Sequence, residues 1–359
     1  MLNPKVYNIN AYCIYFPQFY SFKENNINYY KNYTDITNLN LLINEMKIYQ
    51  DTPSFELLPI KDILEYDLLR NKKLIQAQIN LIKDYNICGF AIYYYWFSTN
   101  TITNRNMIME EVINRFFSTD IDMKGRKVFL IWANESWSKN LAFGNTNNDT
   151  IENNYNEVEF LKNIDNLLLY FKNENYLKID NKPVFFIHHP WFISDAHLDL
   201  FKTLINNKCI ENNFNGCNLI INSMNGTYKG YKHYDHHFNY KKTDHIKLIN
   251  NQITIDYKLY VNNINSIQNK NIKTIAFNFD NRARLYKPDR LKNSTITINN
   301  NKETCLEFIN KTYESYKDST NEIDKIMLIN SWNEWGEQMA IEPSNEKGTY
   351  YLDLLKKIL

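Results

Sequence analysis

Eight short apolar runs, separated by polar segments and helical patterns, constrain the fold of this chain more than any other feature. Such runs are typical of strands that are buried on both faces of a parallel sheet. They span residues 9–16, 87–93, 128–132, 183–187, 218–221, 235–240, 274–279 and 325–329. The run 235–240, which holds an aspartate and two histidines, is the least apolar.

Apolar residues at helical spacing fill most of the segments between these runs. They predict helices over 66–85, 106–117, 158–171, 196–206, 257–267 and 304–316, and a final helix from about residue 348. The segment from Pro17 to about Leu39 is rich in Asn and Tyr, and we expect a long loop there. Strands that alternate with helices predict a parallel sheet, and eight is the number of strands that closes a (β/α)8 TIM barrel. Because no linker or repeat is visible, we predict a single domain over residues 1–359.

The composition excludes several classes of protein. Hydrophobic residues make up 44% of the chain, which is enough for a large core. The net charge is +1 and no basic run is long, so we expect no binding to nucleic acid or anionic lipid. The five dispersed cysteines predict neither a disulfide framework nor a zinc site. Residues 1–10 lack a signal-peptide pattern and no apolar run approaches ~18 residues, so we expect a cytoplasmic protein without an integral membrane segment.

Residues that carry chemistry cluster just after the predicted strands. They are Gln18, Tyr95, Trp96, Asn134, Glu135, His188, His189, Asn222, Asp280, Glu334 and Glu337. The carboxyl ends of barrel strands share one face, on which the active sites of such barrels are built. A barrel that is held together by packing alone has no need to gather acids, amides and indoles there. The pattern therefore predicts a functional face.

Glu334 and Glu337, just after the last predicted strand, are the catalytic candidates. If the chain turns helically there, residues three apart lie on one face with Cβ atoms ~5–6 Å apart. This is near the ~5–5.5 Å between the carboxyl groups of retaining glycoside hydrolases and below the ~6.5–9.5 Å of inverting ones. The indoles of Trp332 and Trp335 would suit the apolar faces of a sugar ring. The alternative interpretation is that the glutamates stabilise a helix dipole and the indoles pack in the core.

Five stretches give the chain a resemblance to a known family. They are AYCIYFPQF (11–19), GFAIYYYWF (89–97), WANESW (132–137), DNRAR (280–284) and NEWGE (333–337), the last followed by Glu342 and Pro343. In this order, and over nearly the whole chain, they resemble the WbsX-type proteins of bacterial surface-polysaccharide gene clusters. Those proteins are themselves similar to glycoside hydrolase family 99.

The resemblance implies a (β/α)8 barrel that acts on glycosidic bonds with retention and requires no metal or organic cofactor. By position, it implies that Glu334 is the base that acts on the sugar 2-hydroxyl. It implies that Glu337 protonates the leaving oxygen, so that the intermediate is an anhydro sugar. The acid must keep its proton near neutral pH, so we expect burial or the charge of its partner to raise its pKa. The implied substrate is an oligosaccharide or lipid-linked glycan in the synthesis of a cell-surface polysaccharide.

Three functions stay open at this point. A glycosyltransferase and an endo-acting glycoside hydrolase of the endo-alpha-mannosidase type use the same two carboxylates, and the family naming favours transfer. A barrel that binds glycan without turnover would tolerate the loss of either glutamate. The sequence contains no Gly-rich loop for a nucleotide phosphate, which argues against a Rossmann-type sugar-nucleotide transferase.

The chain departs from the family pattern at three places. Gln338 stands where the family commonly has Gly, and we expect its side chain to crowd the site. Residues 138–144 replace a stretch with basic residues and a Trp-Asp-Gly, and residues 33–37 replace a Trp-rich loop. Because the parts that contact substrate differ, the specificity of the family does not carry over.

Eleven residues are predicted to bind substrate. They are Gln18, Tyr95, Trp96, Trp132, Asn134, Glu135, Trp137, His188, Asp280, Asn333 and Trp335. Glu135 fits an acceptor for sugar hydroxyls or an electrostatic partner of the glutamate pair, with an N-cap or a buried ion pair as the alternative. Tyr95 and Trp96 fit a stacking surface as well as a core, and His188 with His189 fits a hydroxyl contact as well as a core histidine.

Two charged clusters admit both a binding and a structural interpretation. Asp280 with Arg282 and Arg284 has the charge to grip an anionic group such as a sugar phosphate, but a structural network of ion pairs is the favoured interpretation. His233, His236 and His237 have the chemistry of metal ligands. No spacing of acids supports such a site, so a surface loop without metal is favoured.

Overall fold

The computed structural model describes residues 8–46, 51–137, 150–223, 228–234, 246–249, 252–263, 272–284 and 294–359. The strands are β1 (Asn10–Tyr15), β2 (Gly89–Trp96), β3 (Thr99–Asn100), β4 (Met107–Ile108), β5 (Lys127–Trp132), β6 (Ile151–Glu152), β7 (Lys178–Ile179), β8 (Lys182–Ile187), β9 (Asn218–Asn222), β10 (Lys232–Tyr234), β11 (Ile246–Ile249), β12 (Gln252–Asp256), β13 (Lys273–Ile275), β14 (Thr295–Ile298) and β15 (Ile326–Ile329). The α-helices are α1 (Lys23–Asn28), α2 (Asp35–Met46), α3 (Lys72–Asp84), α4 (Glu110–Phe116), α5 (Glu157–Phe171), α6 (Asp195–Glu211), α7 (Tyr257–Asn263), α8 (Lys302–Glu314) and α9 (Tyr350–Leu355). Short 3-10 helices cover Ile63–Glu65, Pro190–Phe192, Arg282–Arg284 and Trp335–Glu337.

The chain divides into two compact units, each built from separate pieces of sequence. The first unit comprises residues 1–19, 35–89 and 235–359, and the second comprises residues 20–34 and 90–234. Neither unit is a continuous stretch of the chain, and the single domain over residues 1–359 stays a prediction. Among the helices that the structure describes, none is long and apolar enough to cross a membrane.

The first unit contains a parallel sheet in which β15 lies between β1 and β13. Asn10 of β1 pairs with Ile326, and Lys273 of β13 pairs with Met327. All four residues of β15 are buried, as expected for a central strand of a parallel sheet. A second sheet joins β11, β12 and β14, with β11 antiparallel and β14 parallel to β12.

The second unit contains the sheet order β10-β9-β8-β5-β2. Strands β5, β8, β9 and β10 pair in parallel; Leu130, for example, lies opposite Phe185. Two short strands extend this sheet in the antiparallel sense, β4 along β2 and β7 along β8. Strands β3 and β6 form a separate antiparallel pair, and the long helices α5 and α6 pack against each other.

The predicted strands are confirmed as β1, β2, β5, β8, β9, β13 and β15. The predicted strand over 235–240 lies outside the described residues, and the strand found in this part of the chain is β10, which ends just before it. The predicted strand over 274–279 is shorter than expected, because only its first two residues belong to β13.

The predicted helices are confirmed as α3 to α9, with changes at their ends. The helix predicted from residue 66 begins at Lys72, because Asp67 accepts hydrogen bonds from the backbone N–H groups of Leu69 and Arg70. Such bonds compete with helix formation. The helix predicted from residue 106 begins at Glu110, since β4 occupies the residues before it. Residues 264–267 of another predicted helix lie outside the described residues.

The loop that was predicted from Pro17 to about Leu39 is wrong, because this segment contains α1 and the start of α2. The many asparagines have low helix propensity and hide the helical spacing of the apolar residues. Ile36, Leu39 and Leu42 recur every three residues along α2 and are all buried. Packing of this apolar face therefore outweighs the weak propensity.

Candidate active site

Glu334 and Glu337 lie on one tight turn that follows β15. The backbone N–H of Glu337 donates to the carbonyl of Glu334 at 3.3 Å, which closes the 3-10 helix Trp335–Glu337. The Ser331 hydroxyl accepts from the backbone N–H of Glu334 at 2.8 Å. Residues three apart in such a turn are eclipsed, so the two side chains leave it on the same side. The predicted helical turn is confirmed.

One guanidinium bridges the two carboxylates. Nη1 of Arg284 donates to Glu337 at 2.5 Å, and Nη2 donates to Glu334 at 2.7 Å. Arg284 ends the 3-10 helix Arg282–Arg284, and its guanidinium also lies 5.2 Å from the ring centroid of Phe16. The two carboxylates are therefore close enough to contact adjacent nitrogens of a single side chain.

Asp35, at the start of α2, adds a third carboxylate to this cluster. Its Oδ2 accepts from Nε and Nη2 of Arg284 at 3.0 and 2.9 Å. A Cβ at Gly336 would lie 2.7 Å from the carboxyl carbon of Asp35, so only glycine allows this approach without a shift. Asn38 donates to the carbonyl of Ala283 at 2.6 Å, which also ties α2 to the turn that carries Arg284.

The cluster holds three carboxylates against one guanidinium, and this balance sets its protonation. The pKa of Glu334 is raised to about 8, and burial is the largest cause. Arg284 lowers this pKa, while Glu337 and Asp35 raise it. Burial also raises the pKa of Glu337, against the lowering effect of Arg284. The raised pKa expected for the acid is thus present at both glutamates. Interacting acids of this kind titrate as a pair, and we expect this pair to hold a proton near neutral pH.

Three of the predicted substrate-binding residues make structural contacts around this cluster. The buried amide of Asn333 accepts from the backbone N–H of Phe16 at 2.8 Å and donates to its carbonyl at 3.0 Å. Gln18 accepts from the backbone N–H of Asp35 at 3.0 Å. Arg282 donates to Asp280 from Nε and Nη2, at 2.9 and 2.5 Å. Asn333 thus has a structural role, and its contact with substrate stays a prediction; the ion-pair interpretation of Asp280 is supported.

The indoles beside the glutamates do not offer the open faces that the sequence predicted. Trp332 and Trp335 are both fully buried. The Trp335 indole N–H lies 3.2 Å from Glu342 and 3.3 Å from the Tyr66 hydroxyl. The core interpretation of Trp335 is supported, and its contact with sugar stays a prediction.

Two predicted residues in the second unit are also structural. The buried Trp132 donates from its indole N–H to the carbonyl of Trp96 at 3.3 Å and packs on Phe201, with 5.6 Å between ring centroids. The buried Asn134 accepts from the backbone N–H of His189 at 2.8 Å and donates to its carbonyl at 2.9 Å. These contacts give Trp132 and Asn134 a structural role, and the prediction that they bind substrate stays a prediction.

Glu135 and the two histidines form a polar cluster in the second unit. Glu135 lies 3.2 Å from Nε2 of His189, an ion-pair distance, and both side chains are about one-fifth exposed. Nδ1 of His189 is buried and has no hydrogen-bond partner among the residues described. His188 shares a 2.7 Å hydrogen bond with the buried hydroxyl of Tyr234. The ion-pair interpretation of Glu135 and the core interpretation of His188 are supported, while their contact with sugar stays a prediction.

Aromatic side chains pack together in the same unit. Trp137 meets Tyr95 and Phe97 edge to face, at 5.5 and 5.4 Å between ring centroids. Tyr95, Trp96 and Trp137 are all buried. The indole N–H of Trp96 has no hydrogen-bond partner within the described part of the chain. The packing interpretation of these residues is supported, and stacking on sugar stays a prediction.

The histidine cluster shows no metal-binding arrangement where it is described. His233 accepts from the backbone N–H of Tyr228 at 2.8 Å, while His236 and His237 lie outside the described residues. Over the described ranges, no group of three or more His, Cys, Asp or Glu side chains is placed to hold a metal ion.

Comparison with protein families gives one match over nearly the whole chain. Residues 11–355 match the model of the family described as glycosyltransferase WbsX. The chain belongs to the WbsX family. The chain is also similar to the protein described as uncharacterized protein WxcX in two strains of Xanthomonas campestris pv. campestris, with 24% identity over 193 residues. That match covers 54% of this chain and 26% of the relative, so the chain spans about a quarter of the length of these curated proteins.

Solved structures confirm the (β/α)8 barrel fold that was predicted. Two are structures of a GH99 endo-alpha-mannosidase from Bacteroides thetaiotaomicron, one of them in complex with bis-tris propane. Their TM-scores are 0.57 and 0.56, with 11% and 12% identity, 97% of this chain covered, and 95% and 96% of theirs. A glycoside hydrolase-like protein has a TM-score of 0.55 at 13% identity, with 100% of this chain and 97% of that chain covered. The likeness to these solved structures concerns the fold, and the family match concerns the sequence of the WbsX chain.

Gln338, at the position where the resemblance implies Gly, adopts a left-handed backbone conformation with a φ of 52°. Glycine reaches this conformation without strain, which gives a physical reason for the family preference. The Gln338 amide accepts from the backbone N–H of Asp51 at 2.8 Å and donates to the carbonyls of Asp51 and Trp335 at 3.1 and 2.8 Å. The expectation that it crowds the site is not supported, because its amide is bound to the neighbouring backbone.

The sequence did not single out Asp35, Tyr66 or Gln78 in this WbsX chain. Asp35 lies in a segment that was predicted to be a loop, and it contacts Arg284, which is 249 positions further along the chain. Tyr66 and Gln78 bracket the start of α3 and reach Glu342. A buried polar position on the apolar face of a predicted helix was the available signal for Gln78.

Proposed function

We propose that this WbsX-family protein transfers a glycosyl group, with retention, in the synthesis of a cell-surface polysaccharide. The substrate we propose is an oligosaccharide or a lipid-linked glycan. Glu334 is the base and Glu337 is the general acid. The observation that supports this assignment is that a buried carboxylate, Glu334, and a partly buried one, Glu337, leave one turn on the same side and share the guanidinium of Arg284. Such a pair supplies both proton transfers of a retaining reaction.

In the first step, Glu334 removes the proton of the sugar 2-hydroxyl, and the 2-oxygen attacks the anomeric carbon. Glu337 gives its proton to the glycosidic oxygen, whose bond to the anomeric carbon breaks. In the second step, ionised Glu337 removes the proton of the acceptor hydroxyl, which attacks the anomeric carbon. Glu334 returns its proton to the 2-oxygen as the anhydro ring opens. Two inversions at one carbon give net retention, and both glutamates end as they began.

The charge balance of the cluster suits this cycle. The cycle begins with one proton on the pair, and burial favours a bound proton by raising the pKa of both glutamates. Arg284 contacts both carboxylates, so its positive charge stays beside the pair while the proton moves between them and the substrate. The resemblance to family 99, rather than either pKa, assigns the proton to Glu337.

Hydrolysis is the second candidate function, and it is favoured by the likeness of the fold to endo-alpha-mannosidase structures. Water would then take the place of the acceptor hydroxyl in the second step, with the same two glutamates in the same roles. The two functions differ only in the acceptor, so they share the first step.

The dependence of the rate on the leaving group of the substrate tests the roles of Glu337 as acid and Glu334 as base separately. Fluoride departs without protonation, so Glu337→Gln should lose about 10²–10⁴-fold in rate on glycans but much less on glycosyl fluorides. Glu334→Gln should lose activity on both substrates, because each needs the 2-oxygen. Glu346→Gln, the same change at an exposed glutamate of the same segment, is the matched control.

An equal loss on both donors for Glu337→Gln would contradict the acid assignment. Full activity of Glu334→Gln would contradict the base assignment. If both variants still bound glycan and wild type turned over neither donor, the protein would be a glycan-binding barrel.

A further inference from the structure

Glu342 is a carboxylate that the proposed reaction does not use, although it lies five positions after Glu337. Only 1% of the residue is exposed. Its Oε2 accepts from the Tyr66 hydroxyl at 2.5 Å and from the Trp335 indole N–H at 3.2 Å. Its Oε1 accepts from Nε2 of Gln78 at 2.7 Å. A buried carboxylate with these donors is an organised acceptor site, since a buried charge without such partners is very costly.

The surrounding groups fix the orientation of these donors. Tyr15 donates to Oε1 of Gln78 at 2.8 Å, which leaves Nε2 of that amide to face Glu342. The backbone N–H of Glu342 donates to the carbonyl of Trp332 at 3.0 Å. The Gln78 donor is therefore oriented by the Tyr15 hydroxyl, and the acceptor segment is held by the backbone of Trp332. Burial raises the pKa of Glu342 to about 7, against the lowering effect of the hydrogen bonds that it accepts. Above that pH the acceptor is ionised, and hydrogen bonds to an ionised acceptor are roughly twice as strong as neutral ones.

Trp335 connects Glu342 to the proposed catalytic pair. It is the first residue of the 3-10 helix Trp335–Glu337, directly after Glu334 and two positions before Glu337. The indole N–H lies within hydrogen-bonding distance of both Glu342 and the Tyr66 hydroxyl, and the ring is buried. Two backbone hydrogen bonds of the 3-10 type hold the turn, from the N–H of Glu337 to Glu334 at 3.3 Å and from the N–H of Gln338 to Trp335 at 3.1 Å. Trp335 takes part in the second bond and lies between the residues of the first, so a movement of its indole should shift both flanking carboxylates. One anchor of the turn is thus a side chain that contacts Glu342.

We propose that Glu342 is a positioning residue, which holds the Trp335 indole and thereby fixes the turn that places Glu334 and Glu337. This inference rests on the proposed function, since the residues that it positions are the proposed base and acid. Catalytic groups must be held within about 0.5 Å of productive geometry, and a displacement of about 1 Å can cost 10²-fold in rate. Loss of the anchor should therefore lower kcat far more than it changes KM.

The first experiment observes the anchor without any substrate. The indole ¹H–¹⁵N signal of Trp335 is assigned by its loss in Trp335→Phe and compared among wild type, Glu342→Gln and Glu346→Gln. At a pH above the raised pKa of Glu342, about 7, the signal should move in Glu342→Gln, because a neutral amide replaces the carboxylate acceptor, and should stay in place in Glu346→Gln. An unchanged signal in Glu342→Gln would overturn the inference whatever the activity.

The second experiment measures kcat and KM with a glycan that wild type turns over. Glu342→Gln should lower kcat by about 10- to 100-fold with KM within a few-fold of wild type. Tyr66→Phe removes one hydrogen-bond donor to Glu342 and perturbs the core less, so its loss in kcat should be smaller than that of Glu342→Gln. This variant keeps the test valid if Glu342→Gln does not fold. A displaced indole signal with unchanged kcat would overturn the positioning role. Absence of turnover in wild type would count against the proposed function instead, and the indole signal would still decide whether Glu342 holds the turn.

Discussion

Removing the guanidinium of Arg284 should destabilise the protein through the three acids that it contacts. Arg284→Met keeps an unbranched apolar stem but leaves Asp35, Glu334 and Glu337 without this counter-charge. Breaking a fully buried ion pair by removing one partner costs about 3–5 kcal/mol. The Arg284 side chain is 31% exposed, so water replaces part of its charge. We therefore expect a loss of about 2–4 kcal/mol in the free energy of unfolding near pH 8.

The loss should also depend on pH in a defined direction. Arg284 lowers the pKa of Glu334 and Glu337, so these pKa values rise further when it is removed. Below the ordinary value of 4.5, both carboxyls are protonated in the folded and the unfolded chain, and neither needs a counter-charge. The effect of Arg284→Met should therefore be largest at alkaline pH and should shrink as the pH falls.

Urea unfolding at about pH 5 and about pH 8, followed by circular dichroism, measures both effects. Arg282→Met is the matched control, since Arg282 belongs to the same 3-10 helix, has the same 31% exposure and pairs with Asp280. A single partly exposed pair is worth about 1 kcal/mol or less. Equal losses for the two variants, or a loss for Arg284→Met that does not change with pH, would refute the reasoning.

Two further predictions concern the same cluster. Gly336→Ala should destabilise the protein by about 1–3 kcal/mol, because the added Cβ would collide with the Asp35 carboxylate. In urea unfolding, the double variant Gly336→Ala/Asp35→Ala should lose less free energy of unfolding than the sum of the losses in the two single variants. The pKa of Glu334 is raised from 4.5 to about 8, so its contribution to stability is present below pH 4.5 and is lost as the pH rises through 8. The free energy of unfolding, measured across this range, should fall less steeply in Glu334→Gln than in wild type, and equal slopes would contradict the shift.

Local patterns predicted the elements that carry the site. The apolar run that forms β15 and the three-residue spacing of Glu334 and Glu337 are both short-range features, and the structure confirms the strand and the turn. At Asp280, the sequence favoured a structural ion-pair network over a site that binds an anionic group, because arginines follow it closely in the chain. The ion pair between Asp280 and Arg282 agrees with that preference.

Contacts between distant parts of the chain could not be predicted in the same way. The contact between Asp35 and Arg284 depends on the position of α2, whose first residue is Asp35. The asparagine-rich sequence of this segment concealed the helix. The direction of the Trp335 indole depends on where Glu342 and Tyr66 lie, and its spacing from the glutamates carries no such information. The residue type of Trp335 suggested a surface on which sugar could stack. In the structure its indole N–H lies close to the buried Glu342 and Tyr66, and the ring packs in the core.

In the proposed reaction, Glu337 takes part in breaking a glycosidic bond, and a product assay tests this role most directly. Wild type, Glu337→Gln and Glu346→Gln should be incubated with polysaccharide fragments and lipid-linked glycans in oxygen-18 water, and the products read by mass spectrometry. We expect new glycan products from wild type and Glu346→Gln and none from Glu337→Gln; products without the label indicate transfer, and labelled fragments indicate hydrolysis. The same products at the same rate from Glu337→Gln would contradict the account.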